Sequence, residues 1–122
     1  VLGHLILGAD FIPKLLSEPM ATDEAWMQLF GPGSTPTDEP GRYPTKAELL
    51  AKLAEVYDRG ATLAAQADPR RLALPNRTPF FPEQFPKVGD LLTHLLSTHA
   101  AAHCGQLSVW RRCVGKPSVL GV

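Results

Sequence analysis

His99 and His103 are the pair in this sequence whose type and spacing point most directly to chemistry. Four positions apart on a helix, two side chains differ by only ~40° in direction, so they share a face. The seam of Val88, Leu91, Leu92, Leu95 and Leu96 leads into that face and turns both imidazoles inward. Two neutral buried rings need hydrogen-bond partners, and two protonated rings repel each other. A divalent metal removes both difficulties by taking a lone pair from each ring. Two core histidines with ordinary partners fit the same pattern, so the pair alone leaves both readings open. His4 lies among apolar residues near the start of the chain. On a facing helix it is the natural third ligand of a three-nitrogen site with open positions for water or substrate.

The residues around the pair refine this picture. Ala100, Ala101, Ala102 and Gly105 leave room where a core wants bulk, which suits either a cavity beside a metal or close helix packing. Gln106 falls about one turn beyond His103, within reach of a metal-bound water or a facing helix. His94 is five positions before His99, ~140° around a continuous helix, and is expected at the surface or an interface. Cys104 is turned ~100° from His103 and reads as core, with metal ligation or a reactive thiol as the alternatives. Arg111 and Arg112 complement the helix dipole at its C-terminal end, and a second reading has them grip an anionic substrate. A glycine-rich phosphate loop, a G-x-S-x-G elbow, H-E-x-x-H and C-x-x-C are all missing from the chain.

Helices must position these residues. The apolar spacing of Leu2, Leu5, Ile6, Ala9, Ile12, Leu15 and Leu16 predicts a buried helix over 1–16, kinked or restarted at Pro13. A short helix over 22–30 turns Trp26, Leu29 and Phe30 inward. Residues 31–44, rich in Pro, Gly, Ser and Thr, read as a surface loop. Thr45 and Glu48 form an S/T-x-x-E capping box that opens a helix with Leu49, Leu53, Val56, Leu63 and Ala67 inward, ended by Asp68-Pro69. Residues 75–86 form a second proline-rich crossing, with Phe80, Phe81 and Phe85 either as a lid on the bundle or as loop anchors in the core. One last helix is expected over 88–114, carrying the leucine seam, His99, His103, Leu107 and Trp110 inward, with Gly115 as its stop. With no internal repeat and no strand pattern, the local signals favour an antiparallel helix bundle with long connections.

The bulk numbers set limits. A chain of 122 residues suits one domain over 1–122. Twelve basic residues balance twelve acidic ones, which leaves no electrostatic footprint for nucleic acid or an anionic membrane. No apolar run reaches the ~18 residues of a membrane span. The two cysteines, Cys104 and Cys113, are ~13 Å apart along one helix and cannot bridge. Free thiols of this kind are expected in a reducing compartment, the cytoplasm. The chain opens on Val inside an apolar pattern, so upstream sequence is expected.

The segment HAAAHCGQLSVWRRCVGKP, His99 to Pro117, resembles the last-helix motif of the DinB-like superfamily, His-x-x-x-His-x-Gly-Gln running into Arg-Arg and Gly-x-Pro. GHL at Gly3–Leu5 is similar to the family segment that carries the first metal histidine, and LFGPGSTP followed by YPTKAELL also looks like members of the family. The resemblance implies an all-α, up-down-down-up four-helix bundle with a metal, zinc or nickel, on His4, His99 and His103. Two departures accompany it. Ala102 stands where an aromatic often precedes the second histidine of the pair. The family's first helix has no counterpart, which implies either a chain truncated at its N-terminus or a fourth helix supplied from elsewhere, and invites a homodimer. Family chemistry implies a metal-dependent thiol S-transferase in which a low-molecular-weight thiol attacks a small electrophile, with Gln106 and Arg111 as cofactor-binding candidates. The alternatives are a metal-dependent hydrolase and a non-catalytic metal-stabilised bundle for stress response or interaction.

Overall fold

A computed structural model of the protein describes residues 1–118. Its helices are α1 (Leu2–Leu15), α2 (Glu24–Phe30), α3 (Lys46–Gln66), α4 (Pro69–Leu72), α5 (Val88–Leu96) and α6 (Thr98–Cys113). Among the described residues the only β pairing is an isolated bridge between Pro75 and Lys87. The fold is all-α, and none of these helices is long and apolar enough to cross a membrane.

Helix α1 is the hub. It is apolar nearly all round, and such a helix must be covered on every side. Accordingly Leu5, Ile6, Leu7, Ala9, Ile12 and Leu15 are all buried. Ile6 and Ala9 pack on Val56 of α3, while Ile12 and Leu15 join Val88, Leu91, Leu92 and Leu95 of α5. These pairings fix the directions. Successive α1 residues meet successive α3 residues, from Ile6 at Val56 to Ile12 at Gly60, so α1 and α3 run parallel. Against α5 and α6 the order reverses, with Ile12 near Leu91 at one end and His4 near His99 at the other. Parallel α1 and α3 need a long crossover, which residues 16–45 provide by way of α2. The all-antiparallel arrangement favoured by local signals is therefore replaced by the down-down-up order that the family resemblance implied.

Two polar devices hold α1. Asp10 is fully buried. Its carboxylate accepts from the Ala21 and Thr22 N–H groups at 3.0 and 2.7 Å and from Thr22 Oγ1 at 2.7 Å, with Arg59 Nη1 at 3.8 Å. A buried carboxylate is tolerable only with its lone pairs used in this way. Pro13 does not break α1, which runs on to Leu15. Its missing N–H leaves the Ala9 carbonyl without a helical donor. Gly60 crosses there, where a Cβ would sit 3.6 Å from the Ala9 oxygen and 3.2 Å from Ile12 Cδ1.

Helix α3 begins at the Thr45–Glu48 capping box as expected, with both reciprocal bonds formed. Asp68 and Pro69 do more than stop α3. Asp68 caps the one-turn helix α4, of which Pro69 is the first residue.

The last helix departs most from expectation, because it is two helices. Ser97 lies between them at φ −134°, ψ −79°. Its hydroxyl donates to the Thr93 carbonyl at 2.6 Å, in competition with the backbone ladder. Helix α5 is strongly amphipathic and buries four residues, whereas α6 buries none. Leu107 and Trp110, expected inward, are 38% and 55% exposed, because no described element covers that part of α6. Cys104, expected in the core, is exposed as well, and so is Cys113.

Candidate metal centre

His4 comes from the first turn of α1, and His99 and His103 from the first two turns of α6. The three rings form a nearly equilateral triangle, with centroids 5.1, 4.9 and 4.8 Å apart and steep mutual tilts. His99 Nε2 lies 3.2 Å from His4 Nε2 and 3.2 Å from His103 Nε2. Three nitrogens that each reach a divalent ion at ~2.1 Å, with angles between octahedral and tetrahedral, stand roughly 3.0–3.4 Å apart. The ligand atoms of His4, His99 and His103 all fall within 4.8 Å of one another. The triad thus has the donor type, number and spacing to hold such an ion.

Protonation points the same way. Burial, the neighbouring His4 and His103, and His94 push the His99 pKa down to about 4. Burial and His103 also lower His4. Both rings are neutral at pH 7 and keep a lone pair for coordination. His103 Nδ1 donates to Gln106 Oε1 at 2.9 Å, and its Nε2 faces the His99 ring at 3.2 Å. His4 is bonded to the Phe30 backbone. His99 Nδ1 is buried without a partner among the described residues. With a proton on each Nδ1, three Nε2 lone pairs converge on one point, an arrangement that a cation satisfies and that is repulsive without one.

Two glycines of α1 make the approach possible. A Cβ on Gly8 would come 2.7 Å from His99 Cε1 and 2.8 Å from its Nδ1. A Cβ on Gly3 would run into the Phe30 ring. Gly8 therefore seats His99 against α1, and Gly3 lets Phe30 close over the start of the helix beside His4.

A family model described as the DinB superfamily matches residues 1–107, most of the chain and all three histidines. The chain belongs to the DinB superfamily. No curated protein and no solved structure matches it.

Within this DinB-superfamily chain, the candidate metal ligands and the candidate cofactor-binding residues occupy different places. His4, His99 and His103 come together from segments 95 residues apart in sequence. Gln106 sits behind His103 and holds its Nδ1, rather than facing an open coordination position. Arg111 is not at the histidines. It lies ~12 Å further along α6, where Nη2 donates to the Pro117 carbonyl at 3.3 Å and Nε is buried without a partner among the described residues. The break at Ser97 brings His94 closer than a straight helix allows, with its ring centroid 5.5 Å from that of His99. His94 is stacked on Phe85 at 4.4 Å and bonded to Thr98 Oγ1 at 2.7 Å, so it walls the cluster rather than joining it.

Sequence reasoning assigned no site role to Gly8, Gly3 or Phe30. One signal was available for Gly8, which lies four residues after His4 on the same face of α1. A cleft of about 370 Å³ opens beside His4, with Phe30, Ser34, Pro36 and Tyr43 among its lining residues. None of its side chains carries a formal charge at neutral pH. Tyr43 Oη accepts from the Thr37 N–H at 3.0 Å, a bond that lowers the phenol pKa and fixes the ring.

Proposed function

We propose that this DinB-superfamily protein holds one divalent metal, zinc or nickel, on His4, His99 and His103 and uses it to transfer a low-molecular-weight thiol to a small electrophile. One observation carries the reading: three imidazoles converge, with ligand atoms within 4.8 Å of one another, beside a cleft with no charged side chain. When bound, such an ion supplies Lewis acidity that makes a thiol a thiolate at neutral pH. The chain's own residues do the rest. Gln106 orients His103 and raises its basicity by accepting from Nδ1. Gly8 and Phe30 hold the other two rings in place. Phe30, Pro36 and Tyr43 offer an apolar, partly aromatic wall to a neutral electrophile, with the Ser34 hydroxyl as a polar handle. Hydrolysis ranks lower, because no carboxylate lines the cleft to act as general base.

The test is elemental analysis of tag-free protein, then conjugation assays with several thiols and an activated aryl halide. About one metal per chain, and conjugation that vanishes in the His99→Ala, His103→Ala double variant, are expected. Metal-loaded protein that conjugates nothing above that variant would falsify the transfer reading.

A second reading rests on α6. None of its sixteen residues is buried, and His99 and His103 are its polar link to α1. A metal there would act as a cross-link that pins α6 to the bundle. Metal that raises the melting temperature without conferring thiol affinity favours this non-catalytic role.

A further inference from the structure

At the end of α1 away from His4 lies a second and larger cleft of about 500 Å³. Lys14 is ten residues from His4, ~15 Å along the helix, so this cleft is separate from the histidines. Its floor and walls include Phe11, Leu74 and Val88, and three cations, Lys14, Arg71 and Arg77, surround it with no carboxylate among the lining residues. In a chain of zero net charge this is a local excess of three. Ion pairs among the described residues use Arg42, Lys52, Arg59 and Arg70, so none neutralises these three.

The cations are held on a firm frame. Arg71 donates to the Leu15 carbonyl from Nε and Nη2, at 3.1 and 2.9 Å, and from Nη2 to Ser17 Oγ at 2.8 Å. It thereby caps the C-terminus of α1 and is fixed in position. Lys14 lies over the Phe11 ring at 5.6 Å. Arg77 follows Asn76, whose buried side chain donates to the Phe80 and Phe85 carbonyls and accepts from Thr78 N–H and Oγ1. The Asn76 N–H also donates to the Pro86 carbonyl, and the Val88 N–H to the Leu74 carbonyl. The rim that carries Leu74 and Arg77 is therefore bonded into the body of the protein. Leu74 stays 45% exposed at that rim and leaves apolar surface open to solvent. Like charges gathered without counter-charge repel, and an anion relieves that repulsion while an attached apolar body covers the exposed carbon.

We infer that the cleft between α1, α4 and the 74–88 segment binds a small amphipathic anion, with a phosphate or carboxylate head against Lys14, Arg71 and Arg77 and an apolar body on Phe11 and Leu74. The site is independent of the histidine centre and of the transfer reading.

The experiment is an NMR titration of the full chain with phenyl phosphate and benzoate, with inorganic phosphate and benzyl alcohol as half-ligands. Saturable shifts at Lys14 and residues 74–78 are expected, at least tenfold tighter for an amphipathic anion than for either half-ligand. The tighter of phenyl phosphate and benzoate identifies the head group. Lys14→Glu with Arg77→Glu should weaken binding at least tenfold, and Lys14→Gln with Arg77→Gln by a smaller factor. Both residues are exposed, so circular dichroism should be unchanged. The His99→Ala, His103→Ala variant should bind as the parent does. No saturation, equal binding of a half-ligand, indifference to the charge reversals, or loss of binding in the histidine variant would each overturn the assignment.

Discussion

The His99 ring rests against the bare backbone of Gly8, so close that a Cβ at Gly8 would come within 2.7 Å of it. The missing side chain on α1 decides where a ring of α6 can sit. Gly8→Ala improves helix propensity by roughly 1 kcal/mol, yet it must displace His99. The expected result is metal affinity at least tenfold weaker by calorimetry, with helix content kept. Unchanged affinity would show that His99 has another seat available.

Gln106 should matter for the same centre without touching it. Loss of a partner that orients a metal-binding histidine typically costs 10–100-fold in affinity. Gln106→Ala should fall in that range, and Gln106→Glu, which can still accept from His103 Nδ1, should recover most of it. If Gln106→Ala binds metal like the parent, the 2.9 Å bond to His103 has no functional weight.

The pH dependence follows from His99, whose pKa is pushed from 6.5 to about 4 in the fold. The unfolded chain therefore binds a proton that the native state refuses over this window. The sign is that metal-free stability is full above about pH 6.5 and declines as pH falls toward 4. Melts in chelator across that range should show the decline, and His99→Phe should reduce it, the lowered His4 and His94 leaving a smaller slope of the same sign. A melting temperature that rises on acidification would reverse the assignment.

Asp10 is the polar anchor of α1. Asp10→Ala strands the Ala21 and Thr22 donors and the Arg59 charge, and should cost about 3 kcal/mol in urea unfolding. Asp10→Asn, which can satisfy only part of the set, should cost less. Equal costs would mean that the lost carboxylate bonds rather than the cavity dominate, because asparagine fills the same volume.

The comparison between chain and fold turns on how far each signal reaches. The Thr45–Glu48 box, the apolar run of α1 and the shared face of His99 and His103 could all be read from the chain, because each depends on neighbours within one or two turns. The bond between Gln106 and His103, three residues apart, is equally local. Misreadings arose where a distant or competing partner decides. Ser97 interrupts a helical pattern through its own hydroxyl, so the leucine seam of α5 does not extend into α6. Leu107, Trp110 and Cys104 have core-like identities, but nothing among the described residues covers them.

The all-α character, the starts of α1, α3 and α5 and the three histidines were thus legible in the chain, since periodicity, capping and residue chemistry are properties of short segments. Packing between distant segments set the parallel run of α1 and α3, the seat of His99 on Gly8, and the meeting of His4 with a ring 95 residues away at 3.2 Å. Those relations arise when separate apolar faces are buried against one another, and no local pattern records which faces will meet.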